Sequence, residues 1–280
     1  MKFDRKILYT YLRRAPFGGT LSQEQVDGMN DMLDWFETTA ITDVRWVARV
    51  FAEVFHETGT RMQPVRETFA TSSKQAMARL ENAWKNGKLP SVKTPYWRGG
   101  KFGRGRIQVT HEYNYAYAEE KTGLPLTKEP DLLLISKNDV RVSLPGTIEG
   151  WWTRGKHQMS DYFNDTTDNP VGARRIVNGT DKAQHIAKNI YTPMLGAFQA
   201  AELSTPLPVD VIPDATEGDG KSLRESTTFW GAILTGGAGA AGSLIASINN
   251  PYALAFGVVA IAASLWIIRE RMKISYRDGV

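Results

Sequence analysis

The 280-residue sequence contains no cysteine and only four histidines. Without cysteine, the chain can form no disulfide framework, no thiolate metal site and no cysteine nucleophile. The histidines show no ligand spacing, and HETGT (residues 56–60) lacks the second histidine of the H-E-x-x-H zinc motif. The nucleophile elbow G-x-S-x-G is absent as well. We therefore expect neither a metal site nor a cofactor.

A strong excess of one charge sign is also absent. The 34 basic and 30 acidic residues give a formal net charge of +4. This mild excess suits an anionic polymer or a membrane surface, and the sequence has no basic and aromatic array typical of RNA-binding proteins. We therefore expect no nucleic-acid partner. The N-terminal segment MKFDRKILYTYLRR has only three consecutive apolar residues, so a secretory signal is not expected there.

Charged residues are missing altogether from the segment 226–268. Two apolar stretches, 229–248 and 252–268, flank the turn signal NNP at 249–251. One continuous helix over both would be about twice as long as the ~30 Å hydrocarbon core of a bilayer, so two spans fit better. The sequence therefore predicts a transmembrane helical hairpin over 227–268. A buried hairpin of a soluble domain and a single span at 252–268 remain as alternatives.

The flanking segments complete the predicted organisation. Residues 204–226 are rich in proline and acidic residues and predict a linker, which leaves 1–203 as an independent soluble domain. Residues 269–280 form a basic tail. Basic residues flank the two predicted spans on their outer sides, while the turn between them carries no charge. The positive-inside rule then predicts that both flanks face the cytoplasm.

Residues 1–203 are predicted to be mainly α-helical. Ser22 and Ser72, each with Gln three positions on, have capping-box spacing, and Thr42 is a candidate N-cap for the helix between. The glycine pairs in YWRGGKFGRGRIQV (96–109) predict a small hairpin or sheet lobe. The predicted apolar helix faces are Val26, Met29, Met32, Leu33 and Phe36; Val44, Val47, Val50, Phe51 and Val54; and Ala76, Leu80, Ala83 and Trp84. Helical patterns return at 139–154 and 181–200.

Two glutamates have the pattern of an acid and a base. Glu57 projects from the same helix face as Val50 and Val54, so we expect partial burial to raise its pKa, as a general acid requires. Glu67 follows in a loop beside Arg66, which should keep it ionised. Two carboxyl groups in such opposed environments indicate glycoside hydrolysis. The alternative is that Glu57 pairs with a lysine or caps a backbone group, while Glu67 is a solvated loop residue.

Three segments together resemble glycoside hydrolase family 19, which includes plant-type chitinases and many phage endolysins. The segments are FHETGTRMQPVRE (55–67), FGRGRIQVTHEYNYAYA (102–118) and ARRIVNGT (173–180). The resemblance covers about residues 3–200. It implies a lysozyme-like α+β fold, mainly α with a small β lobe, and an inverting hydrolysis of β-1,4-linked N-acetyl sugars.

The resemblance also implies roles for individual residues. The family's acid corresponds to Glu57, its base to Glu67, and the hydroxyl that helps to hold the attacking water to Thr110. The candidate substrate-binding residues are His56, Gln108, Tyr113, Asn114 and Asn178. From the residues alone, Gln108, Thr110 and Asn114 could also be polar positions of an edge strand. Tyr113 and Trp97 offer flat faces for sugar rings, although both could be core aromatics.

The sequence departs from the plant chitinases in lacking cysteine, in having Arg106 where they usually have proline, and in having Lys182 where they tend to carry a carboxylate. These differences fit the bacterial and phage branch, which cuts the glycan of peptidoglycan. Arg104, Arg106, Arg174 and Arg175 would suit an anionic wall polymer better than neutral chitin.

We therefore predict an endolysin of the N-acetylmuramidase type that causes host cell lysis. Its predicted partners are peptidoglycan glycan strands and the bacterial inner membrane, with a holin as a further candidate. The catalytic domain would wait on the cytoplasmic face of that membrane and act in the periplasm once the membrane is breached. The alternatives are a chitinase, or a non-enzymatic membrane protein of holin-like or wall-binding type.

Overall fold

The computed structural model describes residues 1–202. The predicted linker, transmembrane hairpin and basic tail lie outside the described residues. Within residues 1–202, none of the helices combines the length and the apolar character needed to cross a membrane. This part of the chain is mainly helical and contains one two-stranded sheet, which agrees with the predicted α+β domain with a small β lobe.

The helices cover most of the described chain. They are α1 (Arg5–Arg14), α2 (Gln23–Glu37), α3 (Val44–Glu57), α4 (Ser73–Lys85), α5 (Glu112–Thr122), α6 (Ser136–Ile148), α7 (Arg175–Asn178), α8 (Ala183–His185) and α9 (Thr192–Ala201). A π-helical stretch, Ile186–Tyr191, joins α8 to α9. The short 3-10 helices are Glu67–Phe69, Tyr96–Gly99, Pro130–Leu134, Trp151–Thr153, Met159–Asp161 and Gly172–Arg174. The strands are β1 (Val65–Arg66) and β2 (Arg104–Gly105).

The helix starts follow local sequence closely. Ser22 and Ser72 cap α2 and α4 as predicted, each accepting a hydrogen bond of 3.2 Å from the backbone N–H three residues on. The prediction for α3 is wrong by one position, because Asp43 rather than Thr42 is the N-cap. The Asp43 carboxylate accepts a 2.9 Å hydrogen bond from the backbone N–H of Arg45. Both residue types cap helices well, so propensity could not choose between neighbours.

Helix α3 lies at the centre of the helical core. Every residue from position 47 to 55 is buried, and α3 packs against α6, α9 and the π-helical stretch. Phe51 of α3 meets Phe198 of α9 edge to face, with ring centroids 4.8 Å apart. Removing a buried aromatic side chain of this kind costs about 3–5 kcal/mol. Because α3 is so firmly packed, its last residue, Glu57, is presented from a rigid support.

The β lobe is built differently from the prediction. A hairpin within 96–109 is present only as one bridge, Arg104 to Val109. The main partner of β2 is β1, with Val65 opposite Gly105 in an antiparallel pair. Local glycine patterns cannot reveal a pairing between segments so distant in sequence. The consequence for the site is that the loop leading to Glu67 is fixed directly to the Gly-rich segment.

Arg106 ties this lobe to the helices. Its guanidinium is fully buried, and it donates to Asp139 Oδ2 of α6 at 2.7 Å and to the carbonyl of Met62 at 3.0 Å. A further bond of 3.3 Å reaches the carbonyl of Gly28 in α2. A Cβ at position 28 would lie 2.3 Å from the Met62 oxygen, so only glycine permits this approach. Arg106 is therefore a structural residue and not a contact for an anionic polymer.

Candidate active site

A cavity of about 410 Å³ lies where the end of α3 meets the β lobe and the first turn of α5. It is lined by Glu57, Tyr96, Ile107, Gln108, Val109, Thr110, His111, Tyr113, Asn114, Trp152, Val177 and Asn178. Most of the predicted site residues are thus brought together, and Glu67 and His56 are the two outside the lining. A larger cavity of about 600 Å³, next to Asp131, contains neither glutamate, so size alone does not mark the site.

Glu57 lines this cavity from the C-terminal end of α3. Its side chain is 16% exposed, and its Oε1 lies 2.6 Å from Nη1 of Arg174. Burial raises the pKa of the Glu57 carboxyl, and this effect exceeds the opposing influence of Arg174. The direction of the pKa shift is the predicted one. The partner is an arginine from a distant segment, where the alternative interpretation had named a lysine.

A buried strip of charge supports Glu57 from behind. Arg49, Glu53 and Glu57 follow one another at four-residue spacing on α3, and Arg49 forms an ion pair with Glu53. Arg174 contacts both Glu53 and Glu57. The apolar periodicity of this face gives no sign of the strip. With Glu57 ionised the four groups are neutral together, and with Glu57 protonated they carry one net positive charge.

Glu67 has an environment made of neutral donors. Its Oε1 accepts a 2.6 Å hydrogen bond from the Tyr96 hydroxyl, and its Oε2 accepts one of 2.7 Å from the backbone N–H of Gly103. Because Tyr96 lines the cavity, Glu67 lies next to it. The Arg66 guanidinium, expected to act on Glu67, pairs with Asp131 at 2.8 Å instead. Both oxygens of Glu67 accept hydrogen bonds from uncharged donors.

Gln108 and Thr110 also line the cavity. The Gln108 side-chain N–H groups donate to the carbonyls of Val65 and Gly105 at 3.0 and 2.9 Å. Only its Oε1 is left to accept a hydrogen bond from a ligand. Thr110 Oγ1 donates to the Gln108 carbonyl at 2.7 Å. The lone pairs of that hydroxyl remain able to accept a hydrogen bond from a water molecule.

Tyr113 and Asn114 lie in the first turn of α5. Because this segment is helical, the interpretation of Asn114 as an edge-strand residue is wrong. Asn114 donates to the Thr110 carbonyl at 2.9 Å. Tyr113 is 58% exposed, and its ring stacks on His111 with centroids 5.3 Å apart. His111 in turn meets Tyr96 at 4.8 Å. These three rings provide a row of flat surfaces along the cavity.

The remaining candidates separate clearly. Asn178 is exposed at the end of α7 and lines the cavity. His56 is half-buried on α3 outside the lining, and the pKa of its imidazole is lowered by burial and then by the charge of Arg174. Trp97 is 1% exposed, so it is a core aromatic. Within residues 1–202, no three histidine or carboxylate side chains converge as metal ligands would.

The arginines that the sequence assigned to an anionic polymer are mostly unavailable. Arg104, Arg106 and Arg174 are each at most 2% exposed and are paired with the acids Asp131, Asp139, Glu53 and Glu57. Only Arg175 is exposed. The prediction is therefore wrong for three of the four. The sequence gives no sign of these pairings, because every partner acid comes from another segment of the chain.

Comparison with known proteins finds a family model that matches the central part of the chain. Residues 30–168 match the glycoside hydrolase family 19 model, which is described as chitinase class I. Among solved structures, chitinase C from Streptomyces griseus HUT6037 is similar at 16% identity, covering 72% of this chain and 79% of that one, with a TM-score of 0.43. A bacterial family 19 chitinase is similar at 20% identity, covering 70% and 94%, with a TM-score of 0.40.

Proposed function

We propose that this protein cuts the β-1,4 glycan bond of bacterial peptidoglycan as an endolysin of the N-acetylmuramidase type. It is a glycoside hydrolase, and its residues 30–168 form a glycoside hydrolase family 19 domain. The observation that carries the proposal is that Glu57 lines a cavity while Glu67, in an opposed environment, is hydrogen-bonded to Tyr96, which lines the same cavity. One carboxyl is buried with a raised pKa, and the other accepts two hydrogen bonds.

Glu57 is the proposed general acid. A carboxyl with a raised pKa keeps its proton to a higher pH, and it can then protonate the leaving glycosidic oxygen. Bound sugar would exclude water from the cavity and raise the pKa of Glu57 further. Once the proton leaves, the strip of Arg49, Glu53, Glu57 and Arg174 becomes neutral. The contact with Arg174 then stabilises the Glu57 carboxylate, which offsets part of the cost of burying its charge.

Glu67 is the proposed general base. It would take a proton from the water that attacks the anomeric carbon on the opposite face of the sugar, which inverts the configuration. Tyr96 and the Gly103 N–H hold the two carboxylate oxygens in place. The Thr110 hydroxyl would accept a hydrogen bond from the same water. This mechanism requires the two carboxyl groups to lie roughly 6.5–9.5 Å apart in the substrate complex.

The test is digestion of purified peptidoglycan by the full-length chain. Mass spectrometry should find new reducing ends on N-acetylmuramic acid, and proton NMR should show the α anomer as the first product. Glu67→Gln is the inactive control, because an amide cannot take up the proton. Reducing ends on N-acetylglucosamine would reject the muramidase assignment, and a β anomer as first product would reject the inverting mechanism.

Chitin is the second candidate substrate, because the matching family model is described as chitinase class I. The same assay with oligomers of N-acetylglucosamine addresses this possibility. Efficient hydrolysis of these oligomers, together with no release of muropeptides from peptidoglycan, would establish the chitinase and reject the endolysin.

The membrane attachment is a proposal from sequence alone, since 227–268 lies outside the described residues. The apolar stretches 229–248 and 252–268 would anchor the chain in the inner membrane, with the catalytic domain in the cytoplasm until lysis. A holin, or clustering of the hairpins themselves, would then give access to the wall. Protease added to intact spheroplasts tests this topology, because digestion of the catalytic domain without prior membrane disruption would contradict it.

A further inference from the structure

Arg154 differs from the other arginines around the candidate site. It follows the 3-10 helix Trp151–Thr153, and its guanidinium is fixed by three hydrogen bonds to neutral acceptors. Nη1 donates to Asn114 Oδ1 at 3.2 Å and to the Trp151 carbonyl at 2.6 Å, and Nη2 donates to the Tyr113 carbonyl at 2.9 Å. Within residues 1–202, no carboxylate forms an ion pair with Arg154. The side chain is thus held in place without being neutralised.

Aromatic rings add to this restraint. The Arg154 guanidinium lies 4.4 Å from the ring centroid of Tyr117 and 5.4 Å from that of Tyr113. Such contacts leave the cationic charge intact while limiting the motion of the side chain. Nε takes part in none of the three hydrogen bonds and Nη2 in only one, so the N–H of Nε and one N–H of Nη2 are left for a ligand. A pre-positioned arginine loses less conformational entropy when it binds an anion than a mobile one.

The position of Arg154 connects this charge to the cavity. Two of its contacts, Tyr113 and Asn114, line the cavity, and so does Trp152 two residues before it. Arg154 itself is exposed. Glu57 is the only Asp, Glu, Lys or Arg residue in the described lining, and it is already in contact with Arg174. An exposed, unneutralised cation therefore stands at the edge of a cavity that otherwise presents neutral groups.

We infer that Arg154 binds a carboxylate carried by the glycan and thereby makes the cleft select anionic N-acetylated chains over neutral ones. The inference rests on the proposed glycosidase function and assigns to it a specificity-determining residue. Chitin has no carboxylate. In peptidoglycan, every second sugar carries a lactyl group on O3, which ends in a free carboxylate or continues into a peptide that has carboxylates of its own. Arginine recognises either through the same charge-assisted hydrogen bonds.

The experiment measures binding and turnover separately with the full-length chain. Dissociation constants are determined in a Glu57→Gln background for peptide-free glycan strands, peptide-bearing strands and N-acetylglucosamine oligomers. Arg154→Gln should weaken binding of an anionic strand about tenfold, as expected for loss of a hydrogen bond between charged groups. Binding of the neutral oligomers should change less than twofold. The class of strand that loses affinity identifies the source of the carboxylate.

Two further variants separate charge from structure. Arg154→Lys keeps the cation and should restore part of the preference for anionic strands. Arg141→Gln is the matched control, because Arg141 is also exposed and donates to a neutral carbonyl, that of Thr122, but lies outside the cavity lining. It should leave all affinities unchanged. In the protein that retains Arg154, the preference for anionic strands should also fall as the salt concentration rises.

The outcomes distinguish the inference from the function on which it rests. If Arg154→Gln weakens all three ligands equally, Arg154 merely supports Tyr113 and Asn114, and the inference is overturned. It is also overturned if no ligand is affected. Failure of the chain with an intact Glu57 to hydrolyse any of the polymers would instead reject the proposed function, while the affinity ratios would still decide the role of Arg154.

Discussion

The two sides of the cavity present their carboxyl groups by opposite means. Glu57 is the last residue of α3, the most completely buried helix, and its environment consists of burial and ionic contacts. Glu67 stands in the β lobe, in a short turn held by a hydroxyl and a backbone amide. The surroundings on the helical side control the protonation of Glu57. The hydrogen bonds on the lobe side fix the orientation of the Glu67 carboxyl group. An acid needs the first of these and a base needs the second.

Backbone conformation also differs between the two sides of the cavity. No residue of α3 has a positive φ, whereas the lobe segments around Glu67 and Gln108 contain most of the non-glycine residues with positive φ in 1–202. These are Thr60, Met62, Thr68, Phe69, Gln108 and His111. Such conformations cost free energy and persist where the surrounding contacts enforce them. The lobe therefore depends on hydrogen bonds such as those of Gln108, while α3 depends on packing.

The largest effect is expected at the acid. Glu57→Gln removes the proton donor while conserving shape, so the turnover number should fall by about 10²–10⁴-fold. The amide can still contact Arg174, and we expect the fold to survive. Muralytic assays and circular dichroism of the same preparation check both points. Near-normal lysis by this variant would show that Glu57 is not the general acid, and it would contradict the contrast drawn between the two sides of the cavity.

The next largest effect concerns the support of the acid. Arg174→Met leaves Glu53 paired only with Arg49 and removes the contact to Glu57, so stability should fall by about 3–5 kcal/mol. Arg174 lowers the pKa of Glu57 in opposition to burial, so its loss should raise that pKa. The acid acts when protonated, and activity falls as pH rises through its pKa. The alkaline limb of the pH profile should therefore move to higher pH.

Chemical denaturation and the pH dependence of kcat/KM measure these two changes. Arg175→Met is the neighbouring control, since Arg175 is exposed and forms no ion pair with an acid within residues 1–202. An alkaline limb that moves to lower pH would show that Arg174 does not act on Glu57 through its charge.

A smaller effect is expected on the lobe side. Tyr96→Phe removes the hydroxyl that donates to Glu67 Oε1 and keeps the ring. A hydrogen bond to a charged group contributes about 1.5–3 kcal/mol, so kcat should fall by at least tenfold while the alkaline limb stays in place. Steady-state kinetics over a pH range test this, with the exposed Tyr11→Phe as control. A shifted alkaline limb would mean that the two sides are electrostatically coupled.

The smallest effect is expected for the residue that would hold the water. Thr110→Val keeps the shape of the side chain and removes a hydroxyl that binds the Gln108 carbonyl. We expect kcat to fall about tenfold or less, and KM to change little, because the lost contact is to the water and not to the sugar. Equal changes in kcat and KM would return Thr110 to a purely structural role.

Local features of the fold could be predicted, and pairings between distant segments could not. Ser22 and Ser72 mark helix starts because a cap and its partner are only three residues apart. Helix α5 was missed because only Tyr115 and Ala118 are buried in it, which leaves no apolar periodicity to detect. The pairing of β1 with β2 and the contacts of Arg174 depend on the folded chain.

The candidate site shows the same division. Glu57 could be placed from its helix face, and the resemblance to the family pointed to half of the residues that line the cavity. The electrostatics were predicted less well. Arg66 was expected to act on Glu67, but it pairs with Asp131. The role of Arg154 could not be predicted, because its sequence neighbours do not reveal where its guanidinium lies. Ion pairs depend on which residues meet in the folded chain. A sequence reveals them only when both residues lie at helical spacing on one helix.

Gln108 serves the scaffold and the cavity with one side chain, and this has a consequence for laboratory evolution. Its side-chain amide donates hydrogen bonds to the backbone carbonyls of β1 and β2. A library that randomises position 108 would therefore lose folded members before it sampled new glycan preferences. Positions 113 and 154 contribute exposed groups at the edge instead. A selection for altered glycan preference should therefore accumulate changes at 113 and 154 and keep glutamine at 108.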